Sequence, residues 1–311
     1  MSRAWALHLA VIAVLFAAQA VLPPYHHTSI ARIMVLAVFA MGYNIAFGYT
    51  GLLSLGHALF FGAGMYATGL MVQMAGVPAG PALVLGCLAG GVVAAVVGLL
   101  ALRTQGVSFM IVTLMFAQAG YLTILYFGAV TRGDEGFVIE RAARAIGPLD
   151  LSSDTTRYMA ALVLFSAALL AHLALTRSAF GRSMVAMREN EERSRMLGYD
   201  PFRVKLAALV LSGLYAGAAG AAYAVLFGYV GASFAAIQYS ILPLLYVLLG
   251  GAGTVLGPFL GALVMFYLID LSSSVTTAHL AVVGGALLVL VLFAPKGILG
   301  TLRDRGLRWL P

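Results

Sequence analysis

The sequence predicts an all-α, polytopic membrane protein of about ten transmembrane helices, some short or broken, with both termini inside. Three observations carry that prediction. Of 311 residues, 62% are hydrophobic and only 9% charged, against roughly 45–50% and 25% in a soluble domain. So few charges cannot clothe the surface of a globule this long. The apolar residues fall in runs of about 20, the length a helix needs to cross hydrocarbon. A membrane β-barrel would show ~10-residue alternating segments instead. Glycine, at 36 residues, exceeds its usual ~7%, which suits closely packed membrane helices. A soluble enzyme, a disordered chain and a nucleic-acid binder are excluded by the same composition.

The first apolar run, Ala4 to Leu22, ends at Pro23-Pro24. Arg3 ahead of it and Ala18-Gln19-Ala20 within it also fit a cleavable signal peptide; retention as a first span is the preferred reading. Further runs cover 31–48, 57–75, 81–102, 107–128, 157–176, 205–228, 237–250, 256–272 and 279–294. The 237–250 run is short and contains Pro243, so it reads as a broken or re-entrant helix.

Orientation follows from the basic residues. With the N-terminus inside, Arg3, Arg103, the seven basic residues from Arg177 to Lys205, and Lys296, Arg303, Arg305 and Arg308 share one side. That is 13 of the 18. The positive-inside rule places this side in the cytoplasm, so the formal charge of +7 reports topology and needs no polyanionic partner. The chain reads as one transmembrane domain, 1–311. It has an outer loop at 130–156 with some short ordered structure, an inner loop at 177–203 and a basic inner tail at 296–311. The inner loop reads as an amphipathic helix stopped by Gly198, with Pro201 just beyond.

The chemistry-bearing residues are few. Lys205 and Lys296 are the only lysines, and neither follows a phosphate-loop pattern. Cys87 is the only cysteine, so no internal disulfide or cysteine metal site exists. Gly251 to Gly257 has the wrong spacing for a dinucleotide fold. Gly253, Gly257 and Gly261 are four apart, as are Gly213 and Gly217, and Gly86 and Gly90; all read as helix-packing positions. Asp270 is the only carboxylate inside an apolar run, near its outer end. Ion-driven machines usually keep paired charges at depth, so their absence weakens a secondary transporter. His172 and His279 read as helix-end or satisfied core residues. His57 stands apart, because the stretch Asn44 to His57 breaks two apolar runs with three glycines and two hydroxyls. Such a break is tolerated at depth only when buried in protein or lining a cavity. Phe47-Gly48-Tyr49-Thr50-Gly51 is echoed by Phe227-Gly228-Tyr229-Val230-Gly231 on the opposite side, as an inverted repeat would place it.

Several segments together resemble a known family. They are Gly48 to Ala58, Arg103 to Leu114, Ser178 to Lys205, Gly250 to Pro258 and Phe293-Ala294-Pro295-Lys296-Gly297. They look like the permease subunits of branched-chain amino acid ABC importers, specifically the LivM-type half. The resemblance spans roughly 40–300 in the right order. It implies a multi-pass protein of the bacterial inner membrane that imports branched-chain or other hydrophobic amino acids by alternating access. It also implies four kinds of partner: a second, LivH-like permease, two cytoplasmic ATPases, a periplasmic solute-binding protein and the bilayer. ATP and magnesium would sit on the ATPases, and this chain would bind no cofactor and catalyse nothing. The inner loop would then be the coupling helix, centred on Ala186–Gly198, that docks on an ATPase. Glu192-Arg193-Ser194, three residues, then Gly198 keeps the ends and spacing of the family's signature there but not its alanines. Arg182, Arg188, Glu189, Asn190, Glu192 and Gly198 are the expected coupling residues. Asn44, Gly51, Ser54, Gly56, His57 and Thr113 are the expected path lining. The outer face departs from the family at Thr131-Arg132-Gly133-Asp134 and at Gly231-Ala232. Urea or short amides are the alternative solutes. An ion-coupled transporter and a structural or signalling membrane protein are the alternatives of another class.

Overall fold

The computed structural model describes residues 3–147, 149–275 and 278–305. Its helices are α1 (Arg3–Val21), α2 (Pro24–Asn44), α3 (His57–Gln73), α4 (Ala79–Ala101), α5 (Gly106–Tyr126), α6 (Gly128–Thr131), α7 (Asp154–Arg177), α8 (Ala179–Glu189), α9 (Glu191–Met196), α10 (Pro201–Phe227), α11 (Ile237–Gly250), α12 (Gly257–Val275), α13 (His279–Phe293) and α14 (Gly297–Arg305). Each of the ten apolar runs is a helix. Seven are long and apolar enough to cross a membrane; α3, α11 and α13 are shorter, at 17, 14 and 15 residues. Four two-residue strands complete the fold: β1 (Phe137–Val138), β2 (Ala145–Ile146), β3 (Leu149–Asp150) and β4 (Tyr229–Val230). β1 pairs with β4, and β2 with β3, both antiparallel. They give the outer loop its ordered structure.

Burial sorts the helices into centre and periphery. The apolar window of α2 is 89% buried and that of α10 is 72%, against 17% for α1 and α5. Around α10, glycines let α3 and α4 approach backbone to backbone. A Cβ on Gly217 would lie 2.9 Å from the carbonyl oxygens of Gly86 and Cys87 and from Gly90 Cα. One on Gly90 would meet Gly217 Cα at 2.5 Å and Gly213 O at 2.6 Å. On the other flank, a Cβ on Gly261 of α12 would strike the Tyr246 carbonyl of α11, and Gly257 opens α12 against Gly250. Gly253 differs from the expectation. It lies in the loop between α11 and α12 with φ +72°, so it packs no helix face. The four-residue spacing runs across a helix start and loses its meaning there.

Two further expectations change. α11 continues unbroken through Pro243, because α12, α2 and α14 pack around it and membrane helices tolerate a supported proline. Its 14 residues span only ~21 Å, short of the ~30 Å of hydrocarbon. The inner loop is two helices, α8 and α9, rather than one. Asn190 is extended between them (φ −160°, ψ 106°), and its side chain accepts from Arg193 N at 2.8 Å. Asparagine serves a helix better as an N-cap than as an interior residue, and Glu191 and Glu192 suit the first turn that follows. Gly198 does end α9, in the left-handed region at φ +88°.

The outer end is tied by polar contacts. Arg157 donates from Nε to the Leu226 carbonyl (2.9 Å) and pairs with Asp154. Tyr25 donates to Asp270 at 2.9–3.0 Å. The two similar pentads differ in conformation: Phe47–Gly51 holds a π-helical turn, whereas Phe227–Gly231 holds a helix end and β4. Arg308 and the rest of the tail beyond 305 lie outside the described residues, as does the side chain of His279.

Candidate functional site

The break after α2 builds the site. α2 runs into a π-helical turn, Ile45–Tyr49, a form common at functional positions. The chain then passes through Thr50–Gly56 without regular structure and starts α3 at His57. A helix end leaves carbonyls that need partners, and four of those in the turn, Ile45 to Gly48, find one. Thr50 Oγ1 donates to Ile45 O at 2.9 Å, Leu52 N to Ala46 O at 2.8 Å, and Gly51 N to Phe47 O at 3.1 Å. The fourth, Gly48 O, is reached from another element: Arg188 Nη1 of α8 donates to it.

Asn44 joins this turn to the loop between α11 and α12. Its Nδ2 donates to Thr254 O and its Oδ1 accepts from Gly253 N, both at 2.9 Å. Gly48 must lack a side chain here, since a Cβ would overlap Asn44 Oδ1 and sit 2.6 Å from Gly253 N. Arg303 of α14 donates to Gly253 O at 3.4 Å from the other side. Apolar packing seats α8 on the same turn: Met184 and Met187 are buried against Ile45, Tyr49, Val204 and Ala208. Each such methionine contributes ~1.5–3 kcal/mol by burial.

The start of α3 is pinned with equal economy. Leu55 N donates to Thr113 Oγ1 of α5 at 3.2 Å, and Gly56 N to Ser54 Oγ at 3.1 Å. Ala58 N donates to Ser240 Oγ of α11 at 2.8 Å. His57 Nε2 and Ser212 Oγ of α10 are 2.7 Å apart.

The expected residues therefore divide into groups. Asn44, Ser54, Gly56, His57 and Thr113 come together but are buried inside the chain. Gly51 alone of that set is exposed, and it lines a cavity of about 540 Å³ with Leu53, Gln105, Met110, Arg188 and Glu191. The whole coupling set, Arg182, Arg188, Glu189, Asn190, Glu192 and Gly198, is exposed. Arg188 reaches inward to Gly48 while its Nη2 holds Glu189 at 2.9 Å; Asn190 is the cap of α9. Lys205 and Glu191, 2.5 Å apart, tie α9 to α10. His172 is buried with neither ring nitrogen hydrogen-bonded, so it is not the satisfied core residue expected. α7 sets it between the rings of Tyr49 and Tyr215, and the Tyr215 hydroxyl is given to Ala168 O.

Sequence reasoning missed two groups. Ser212, Ser240 and the Thr254 carbonyl hold the break; for the two serines, a lone hydroxyl in an apolar run is the signal that could have found them, since it needs a partner. Met196, Leu197, Tyr199 and Phe202 form an exposed apolar strip, with Met196 86% exposed, on an inner loop outside the spans. Among the described residues no cluster of His, Cys, Asp or Glu could hold a metal.

Comparison with known proteins places the chain among relatives. Residues 26–292 match the family described as branched-chain amino acid transport system / permease component. The chain is 28% identical to the high-affinity branched-chain amino acid transport system permease protein LivM of Escherichia coli K12, over 88% of this chain and 69% of the relative. The LivM of Salmonella typhimurium LT2 is 26% identical with the same coverage. The LivH of Escherichia coli K12 is 26% identical over 85% of this chain and 91% of that protein. No solved structure matches the chain significantly.

Proposed function

The chain belongs to the branched-chain amino acid transport permease family, and from that premise we propose how it works. It is the LivM-type half of a permease pair in a binding-protein-dependent ABC importer, moving branched-chain or other hydrophobic amino acids inward. A LivH-like permease completes the path, two cytoplasmic ATPases drive it, and a periplasmic protein delivers the solute. The spans carry almost no charge, which suits a zwitterion and an energy source on another chain.

The observation that carries this reading is the reach of Arg188 from α8 to the Gly48 carbonyl. An ATPase seated on α8 and α9 would move Arg188, and with it the π-turn and Asn44. Asn44 passes the movement to Gly253 and Thr254 and so to α11 and α12. Two packings of the bundle, biased from outside by the binding protein and from inside by ATP, give alternating access. The exposed strip Met196, Leu197, Tyr199 and Phe202 supplies the apolar part of the ATPase contact.

Reconstitution tests the reading. Liposomes holding this chain, its permease partner and both ATPases should take up leucine only with ATP inside and binding protein outside. Uptake by this chain alone under a proton or sodium gradient would contradict it. Met196→Asp with Leu197→Asp should release the ATPases on purification while the two permeases stay together; unchanged co-purification would remove the strip from the contact.

A further inference from the structure

We propose that the imported amino acid is held half-way across the membrane by Gln118 of α5 together with Ser233 and Gln238 around the start of α11, its aliphatic side chain lying on Met115 and Ile241. The proposal rests on the importer reading above and names the residues of this chain that touch the solute.

The path cannot run along Asn44, Ser54, Gly56, His57 and Thr113, because all five are buried inside the chain. α3 serves as a ruler for finding residues that are open. Ala58 N bonds Ser240 Oγ, Gly62 faces Ala235, and Gly69 faces Val230. The chain from β4 to α11 therefore descends along α3 from the outer side. From Gly69 to Ala58 is about 16 Å at 1.5 Å per residue, so α11 starts deep in the bilayer. Gly56 stands against Thr113 of α5. Both helices run outward from there, so Gln118 lies level with Phe61, between Ser240 and Ala235. It is also near the middle of α5, which spans Gly106–Tyr126. The 3-10 turn Ala232–Ala235 and α11 both pack against α5.

The chemistry at this level does not suit lipid. Ser233 and Gln238 are exposed and Gln118 is partly exposed. None of the three side chains has a hydrogen-bond partner among the described residues. Gln118 interrupts the exposed stripe of α5 between Met115 and Leu122, and Gln238 opens the exposed stripe of α11 that continues through Ile241. In hydrocarbon these groups would stay unsatisfied, which is costly. α4 shows the contrast: its exposed Leu88, Val92 and Val96 include nothing polar. Non-helical backbone at depth is tolerated only inside protein or beside water, and the turn that carries Ser233 is open. The occupant of this face is therefore polar. α3, α5 and α11 hold no Asp, Glu, Lys or Arg, so neither a lone cation nor a lone anion is favoured. A carboxamide both donates and accepts: its oxygen meets an ammonium and its NH2 a carboxylate. A zwitterion fits, and Met115 and Ile241 beside it fit an aliphatic side chain.

Cysteine accessibility in the reconstituted importer tests the site, with Cys87→Ala as background. Gln118→Cys, Gln238→Cys and the control Val92→Cys are treated with a negatively charged methanethiosulfonate, which reacts where water reaches. The two glutamine positions should be labelled about tenfold or more faster than Val92→Cys, and labelling them should abolish leucine uptake. Gln118→Leu, unlabelled, should lower uptake about tenfold while the two permeases still co-purify. Labelling no faster than at Val92→Cys, in an importer that takes up leucine, would overturn the proposal and leave the importer reading standing. So would a Gln118→Leu chain that parts from the second permease, which would make Gln118 a contact between subunits. An importer with no uptake before labelling would remove the importer reading and this proposal with it.

Discussion

The α3–α4–α10 body and the inner joint around Gly48 are held together by opposite means. In the body, backbones touch: Gly217, Gly86 and Gly90 leave no room for even one methyl between them. Dispersion over many close atoms is stiff, because any gap forfeits contacts at once. In the joint, a few directed bonds cross between elements: Arg188 to Gly48, Asn44 to Gly253 and Thr254, Arg303 to Gly253. Such bonds can be exchanged for others as segments turn. The contrast teaches that the chain separates the part that keeps its shape from the part through which movement enters.

The largest way to break the contrast is Gly217→Val. Its Cβ would meet backbone atoms of α4 at 2.9 Å, which cannot swing aside. The cost lies at or above the top of the usual ~1–3 kcal/mol for overpacking. Thermal unfolding in detergent should show a large fall in Tm or no folded chain; an unchanged Tm would mean that the body is not rigid. Asn44→Ala comes next. It leaves the buried Gly253 N–H and Thr254 carbonyl without their partner, at about 1–3 kcal/mol for each group left unsatisfied. Tm should fall less than for Gly217→Val while uptake is lost. A variant as damaged as Gly217→Val would make the joint part of the body.

The smallest effect lies outside both regions. The Ser152 hydroxyl and amide hold the Asp150 carboxyl below its ordinary value of 3.8. A depressed pKa contributes stability above the unfolded value and loses it as pH falls through the folded one. Hydrogen exchange within 145–153, corrected for intrinsic rates, should therefore quicken as pH falls below 3.8. Exchange in the body and the joint should not follow. Asp150→Asn should abolish the pH dependence of the hairpin; its persistence would assign the effect to another group.

Much of this was legible in the sequence, for identifiable reasons. The ten apolar helices were, seven of them long enough to cross a membrane, because a bilayer demands long apolar runs and the chain obliges. The break at Asn44–His57 was, because glycines and hydroxyls interrupt those runs. The division of the inner loop at Asn190 was not, because capping and interior asparagines look alike until the neighbouring turns are placed. Gly253 misled because a four-residue spacing does not reveal where α12 begins. The bond from Arg188 back to Gly48 was not either: a basic residue on an inner loop reads as facing water or a partner, and its reach into the bundle shows only once α8 is placed against the turn. Ser212 and Ser240 were silent because a hydroxyl barely lowers the hydropathy of a run, yet they hold the His57 ring and the Ala58 amide across helices; Thr254 was silent because it acts through its backbone carbonyl.

The central claim is that Arg188 carries movement from α8 into the membrane body, and Arg188→Gln tests it most directly. The side chain is about one-third exposed, so the fold should persist. In the reconstituted importer, ATP hydrolysis and leucine uptake should be measured in the same liposomes. The account predicts that hydrolysis stays near the wild-type rate while uptake falls about tenfold or more, the scale of a lost coupling. Hydrolysis and uptake falling together, or both remaining at the wild-type level, would contradict it.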